Sequence, residues 1–212
     1  MESVDSAKYL GITLQSNLKW NKHIDQTASK ANKTHSFVRR NLKVDSSWIK
    51  KKHAYQALVH PKLEYCSSVW DPYTAENNYK LENVQRRAAR YVCHRYHNTC
   101  SVTEMMDDLS WPTLKERRTK TRLINFYKIS NNKMEIPYTN ILIPNQSKTR
   151  TSHSKTFRQL PCKKDSFKYS FFCNTIPDWN KLPETIANSD SIKSFKEKLT
   201  HEVLLKTYLQ LC

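Results

Sequence analysis

Between residues 20 and 42, Trp20, Ile24, Thr27, Ala28, Ala31, His35, Val38 and Leu42 recur every three or four positions. That period places them on one face of a helix of about six turns. Lys22, Lys33 and Arg40 fall largely off the stripe. A second pattern of the same period, Leu81, Val84, Ala88 and Tyr91, predicts a helix that Thr74 and Glu76 open and that runs to about residue 96. Between these two, Asp45-Ser46-Ser47 offers N-cap oxygens for a helix through Trp48, Ile49, Tyr55 and Leu58. Pro61 ends or kinks that helix, because proline lacks a donor and clashes with the preceding turn. Residues 61–70 then restart as a helix with proline in its first turn, closed by Asp71-Pro72. Ser101 with Glu104, and Thr113 with Glu116, form two capping boxes. The first predicts a short helix, the second a longer one to about residue 130, stopped by Asn131-Asn132.

The two ends read differently. Residues 8–14 are apolar and β-branched around one glycine. Gln15-Ser16-Asn17 is the expected turn and residues 18–20 the return strand of a small hairpin. Residues 131–168 are the least regular, with Pro137, Pro144 and Pro161 and a polar basic run over 147–158. An aromatic helix over 167–179, a corner at Pro177 and Pro183, and an amphipathic helix capped by Asp190 and buried through Ile192, Phe195, Leu199 and Val203 complete the chain. The expectation is a mainly α protein: a helical bundle with a small N-terminal β-hairpin and an irregular linker before a C-terminal helical segment. Its divisions are expected at 1–19, 20–134 and 135–212.

Composition supports a folded helical chain and adds a strong charge. Apolar residues make up 38% of the 212 positions, with 11% aromatics, so a core can form. The single glycine, Gly11, argues against a glycine-rich phosphate cradle and against a sheet of many tight hairpins. Lysine and arginine number 36 against 19 acids, a formal net charge of +17. Such an excess attracts polyanions, and phosphate contacts release condensed counterions. The chain contains no apolar run of about 18 residues and no signal-peptide pattern at its N-terminus, so we expect no membrane span and an intracellular, nuclear or cytoplasmic protein that is not secreted. Cys66, Cys93, Cys100, Cys162, Cys173 and Cys212 are then expected as thiols.

Several blocks resemble a known family. The segment Pro61-Lys62-Leu63-Glu64-Tyr65-Cys66-Ser67-Ser68-Val69-Trp70-Asp71-Pro72-Tyr73, followed by residues 81–92, resembles the region downstream of the polymerase palm in reverse transcriptases of non-LTR (LINE-type, jockey-related) retrotransposons. Trp111-Pro112-Thr113-Leu114-Lys115-Glu116-Arg117-Arg118, the block Thr149-Arg150-Thr151-Ser152-His153, and Phe171-Phe172 through Ile176-Pro177-Asp178-Trp179-Asn180-Lys181-Leu182-Pro183 look like later blocks of the same family in the same order. The resemblance covers the chain from Tyr9 to about Leu199. It implies a thumb and post-thumb fragment, a Tyr9-Leu10-Gly11 hairpin that ends the palm, and an extended linker around residues 149–153. The family's nucleotide-binding and metal-binding palm would lie before residue 1, so the fragment is expected to be non-catalytic.

Four constellations could carry chemistry. Asp107-Asp108 after Met105-Met106 looks like the paired aspartates that hold catalytic magnesium. Two-metal transfer, however, needs carboxylates converging on one site, and helical neighbours diverge by about 100°. Cys93, His94, His97 and Cys100 include zinc-ligand types, but a structural tetrahedral site usually joins two ligand pairs across a longer loop. No order or spacing selects Cys66, Cys93 or Ser101 as a nucleophile with its base. No catalytic residue, metal or cofactor is therefore expected. Basic clusters are the remaining signal: Arg39, Arg40 and Lys43; Lys50-Lys51-Lys52; Arg86, Arg87 and Arg90; and Arg117, Arg118, Lys120 and Arg122. On successive helices, such cations would hold the backbone of RNA, DNA or an RNA–DNA hybrid without reading bases. The alternative expectation is a helical protein-interaction module or a decayed, non-functional copy.

Overall fold

The computed structural model describes residues 5–43, 45–137, 140–146 and 153–209, with side chains described as far as residue 200. The chain is mainly helical with one two-stranded antiparallel hairpin, as the periodicity predicts. It forms two compact units, Met1–Arg118 and Thr119–Cys212. The division falls inside a helix and not near residue 135, for a reason visible in the second core below.

In the first unit, β1 (Ser6–Tyr9) pairs with β2 (Ile12–Gln15), with Tyr9 opposite Ile12. The hairpin's turn is therefore Leu10-Gly11; residues 15–17 do turn, with Leu18 N donating to Gln15 O at 2.9 Å, but they lead into α1 and the expected return strand at 18–20 is corrected. Leu10 and Gly11 both have positive φ, 45° and 84°, the requirement of a two-residue hairpin loop whose twist matches its strands. The one glycine sits where that geometry most needs it. After the hairpin come α1 (Asn21–Asn41), α2 (Trp48–Leu58), α3 (His60–Glu64), α4 (Ser67–Trp70), α5 (Ala75–Cys93), α6 (Val102–Asp108) and α7 (Leu114–Ser130).

Local chemistry explains the boundaries. Ser47, Thr74 and Ser101 each accept a backbone N–H three residues on, at 3.3–3.4 Å. At the start of α7 the capping box is reciprocal: Glu116 N donates to Thr113 Oγ1 at 3.1 Å, and Thr113 N donates to Glu116 Oε2 at 2.9 Å. The single helix expected over 61–70 is split into α3 and α4, because Cys66 takes a left-handed φ of 51°. Likewise α5 stops at Cys93, short of residue 96, where His94 turns left-handed and Arg95 N bonds back to Arg90 O.

Both predicted stripes are buried, except at the two ends of the first, where Trp20 and Leu42 are half-buried. On α1 the buried residues are Ile24, Thr27, Ala28, Ala31, His35 and Val38, joined by His23; on α5 they are Leu81, Val84, Ala88 and Tyr91, joined by Gln85, Ala89 and Val92. Four side-chain bonds fix α1 and α5 as parallel neighbours: Asn77 to Asn21, Lys80 to Asp25, Arg87 to Asn32 and Tyr91 to the Leu42 carbonyl, in ascending order on both helices. Gln85, fully buried, receives the Tyr55 hydroxyl and donates to Pro112 O at 2.9 Å, while Tyr55 stacks on Trp111 with centroids 4.5 Å apart.

The second unit is built on the later turns of α7. Leu123, Phe126, Tyr127 and Ile129 pack with Ile176 and Trp179 of α9 (Phe171–Asn180) and with Phe195 and Leu199 of α11 (Ile192–Leu209). Tyr127 stacks on Phe195 at 4.4 Å, and Phe126 lies 5.0 Å from Trp179. Because α7 contributes to both cores, the boundary moves up to residue 118. The expected aromatic helix is two pieces, α8 (Asp165–Lys168) and α9, and α10 (Glu184–Ala187) follows Pro183. Ser191, not Asp190, caps α11 through Ser194 N at 3.1 Å. The Val203 side chain and residues 149–152 lie outside the described residues. From His153 onward the chain turns at Ser154-Lys155, pairs Phe157 with Pro144 in an isolated antiparallel bridge and is tied down: His153 Nε2 donates to Trp179 O, Trp179 Nε1 to Lys155 O, and Asn180 bonds Phe157 N and O.

Three buried histidines of the first unit make this fold sensitive to acid. Burial, reinforced by Arg39 and Arg87, lowers the pKa of His35 to about 4; burial also lowers those of His23 and His60. The unfolded chain therefore takes up protons that the folded chain refuses. Stability should fall as pH drops from about 6.5 toward 4, by on the order of 2 kcal/mol for His35. Urea unfolding of His35→Leu should show a shallower loss across that window than the parent chain.

Candidate nucleic-acid interface

A cation can hold a phosphate only if its head is accessible and no carboxylate already claims it. By that test the ten basic residues singled out from sequence separate into two sets. Arg118 is 1% exposed; its Nε donates to Asp71 Oδ1 at 2.8 Å and its Nη2 to Asn78 Oδ1 at 2.5 Å. Arg122 is 4% exposed and donates to Asp178 Oδ2 at 2.6 Å. Arg117 grips both oxygens of Glu64, a hydrogen-bonded pairing that raises its pKa further. Lys120 donates to Thr200 Oγ1. The cluster at the start of α7 is therefore corrected: its arginines are ion-paired, and two of them are inside a core. Lys51, from the triple-lysine run, is also buried, with its ammonium 5.3 Å from the Tyr91 ring, and Lys52 donates to Leu109 O at 2.7 Å.

The other set lies on α1 and α5, with Lys43 just past the end of α1. Arg39, Arg40, Lys43, Arg86 and Arg87 are exposed, and none has an acidic partner among the described residues. Arg39 stands 5.9 Å from the centre of the Tyr91 ring. Arg87 reaches Asn32 Oδ1 at 3.4 Å, and half-buried Arg90 reaches His97 O at 3.4 Å. Arg40 and Arg87 are brought together on an open groove of about 860 Å³ between the two helices. On its α1 wall are Asp25, Ser29, Asn32, Lys33, Ser36 and Arg40; on its α5 wall are Lys80, Asn83 and Arg87. Four cations line it with one acid, Asp25; Lys80 is claimed by Asp25 at 2.8 Å and by Glu76 at 3.0 Å, which leaves Lys33, Arg40 and Arg87 without an acidic partner among the described residues. Arg39, Lys43, Arg86 and Arg90 are not among the groove's lining residues.

Sequence reasoning passes over Lys33, Lys80 and the neutral lining residues. A signal exists: Lys33 and Arg40, and Lys80 and Arg87, are each seven residues apart, which returns them to the same flank of a helix after two turns. It becomes readable only once α1 and α5 are known to be neighbours.

The other constellations are separated by the fold. Met105 and Met106 are buried in α6, while Asp107 and Asp108 are exposed and Asp108 pairs with Arg95 at 3.3 Å. The left-handed His94 takes the chain out of the helix that would have gathered Cys93, His97 and Cys100. His97 Nδ1 instead contacts Thr99 Oγ1 at 2.8 Å. Among the described residues no group of three or more His, Cys, Asp or Glu side chains is placed to hold a metal ion. Cys66, Cys93, Cys100, Cys162 and Cys173 are free thiols, and no described helix is long and apolar enough to cross a membrane.

Two kinds of arginine should respond oppositely to substitution. Reversing charge at Arg86 and Arg87 should leave the circular dichroism and melting temperature nearly unchanged. Asp71→Ala, which strands the buried Arg118 guanidinium, should cost about 3–5 kcal/mol in urea unfolding. Comparison with protein-family models, curated proteins and solved structures finds no match to this chain.

Proposed function

We propose that this chain is the thumb and post-thumb portion of a non-LTR retrotransposon reverse transcriptase, one that binds the backbone of RNA, DNA or their hybrid without reading sequence and catalyses nothing by itself. The observation that carries the binding part is the set of accessible, acid-free cations on α1 and α5, with Arg40 and Arg87 sharing a groove with Lys33. Phosphate oxygens accept hydrogen bonds and carry charge, which long cationic side chains answer without fixing a base sequence. The parentage rests on the ordered sequence blocks. Two of them have structural work that explains their residues: Asp71 holds Arg118, and Trp179 with Asn180 anchors the linker. RNA-directed DNA synthesis would belong to a longer protein carrying the palm.

A protein-interaction role is the second reading, favoured by the exposed Tyr9, Leu10 and Leu18 around the hairpin and by Trp48 and Ile49 at the start of α2. Salt separates the two. Fluorescence anisotropy with a labelled RNA–DNA hybrid should show tight binding at low salt and a steep linear fall of log affinity with log salt. Lys33→Glu, Arg40→Glu and Arg87→Glu together should weaken binding and flatten that slope by about one unit for each phosphate no longer held. Absence of binding at low salt, or binding indifferent to salt, would contradict the proposal.

A further inference from the structure

The groove between α1 and α5 contains more than a phosphate needs. A phosphodiester only accepts hydrogen bonds, so a surface serving phosphate alone requires donors alone. Three cations supply them: Arg40 lies seven residues beyond Lys33, about 10.5 Å along a helix, and Arg87 stands on the facing bank, while Lys80 is claimed by Asp25 at 2.8 Å and Glu76 at 3.0 Å. The spacing of Lys33 and Arg40 is about three nucleotides of a stacked strand. Lys33 and Arg87 stand at nearly the same level, because Arg87 reaches Asn32. Arg40 lies two turns beyond and Lys80 two turns before.

Between these cationic levels the lining is neutral, and its hydroxyls and amide can accept as well as donate. Ser29 and Asn83 lie between the levels of Lys80 and Arg87, and Ser36 lies between those of Lys33 and Arg40. None of the three side chains has a hydrogen-bond partner among the described residues. At the far end Asp25 is exposed and accept-only, with one oxygen on Lys80 at 2.8 Å. A carboxylate there repels phosphate, so the ligand should present a donor at that level. The group that recurs beside every phosphate and both donates and accepts is the ribose 2′-hydroxyl, which DNA lacks. We infer that this groove holds an RNA strand along the two helices, with Lys33, Arg40 and Arg87 on phosphates and Ser29, Asn83, Ser36 and Asp25 on 2′-hydroxyls. The inference rests on the nucleic-acid reading of the preceding subsection.

The test uses the whole chain and three single-stranded labelled probes of one sequence: RNA, deoxyuridine-containing DNA, and 2′-O-methyl RNA, which keeps the oxygen but not its proton. At low salt RNA should bind about fivefold more tightly than DNA, the effect of a net hydrogen bond or two, and 2′-O-methyl RNA should bind like DNA. Ser29→Ala with Asn83→Ala, both at accessible positions, should bring RNA down to the DNA level while leaving the salt slope unchanged. Equal affinity for RNA and DNA with a steep salt slope would overturn the 2′-hydroxyl assignment and leave phosphate binding standing. The assignment also fails if 2′-O-methyl RNA binds like RNA. Failure of all three probes to bind would overturn the nucleic-acid reading itself.

Discussion

The close approach of α1 to α5 is the contact on which the first unit depends. Ala28 and Ala31 on one helix and Ala88 and Ala89 on the other are buried, and side chains this small let two helices meet with little between them. Larger partners then close around the seam: Ile24, Val38, Leu81, Val84 and Tyr91 make it a core, and Tyr55 with Trp111 covers it through Gln85. Residues flanking the seam are lifted onto its two banks, and there the chain carries lysine, arginine, serine and asparagine. The groove is thus a by-product of packing small against small. The two helices are also parallel, so their partly negative C-terminal ends lie side by side, an arrangement that cations stabilise. Arg39 and Arg40 in the last turn of α1 and Arg90 in the last turn of α5 meet that demand. Such cations serve the fold through their charge and still leave their heads in water.

Net charge alone misjudges this protein. Part of the excess is internal: Lys51, Arg118 and Arg122 are taken out of water, and Arg117 is tied to Glu64. A buried guanidinium with a carboxylate partner contributes little net stability compared with an apolar replacement, yet it is costly to strand. Its geometric effect here is to join Asp71, at the end of α4, to Asn78 in the first turns of α5. The exposed cations are the ones that the proposed binding draws on, because their desolvation cost is small and no acid among the described residues answers Arg39, Arg40, Lys43, Arg86 or Arg87.

Periodicity makes the helices legible. Every residue of the α5 stripe, and the α1 stripe from Ile24 to Val38, is buried where its spacing places it, and the caps at Ser47, Thr74, Ser101 and Thr113 bond as their residue types require. Backbone exceptions are not legible. Left-handed Cys66 and His94 break helices with residues that carry no breaker signal, and the hairpin turns at Leu10-Gly11, inside an apolar run that has the pattern of one continuous strand. The candidate site is half legible for a different reason. Clusters such as Arg117-Arg118 look alike in sequence whether they face water or a carboxylate, and Asp71, which decides the matter for Arg118, is 47 residues away. The groove requires the pairing of two helices about 55 residues apart.

In the proposed function the banks of the α1–α5 seam are the binding surface and the α7 arginines are not. Hydrogen–deuterium exchange of the whole chain with and without an RNA strand at low salt tests this most directly. Binding along the seam should add protection concentrated in residues 29–40 and 80–90, with residues 114–122 unchanged. Protection centred on 114–122, or spread evenly over the chain, would contradict it.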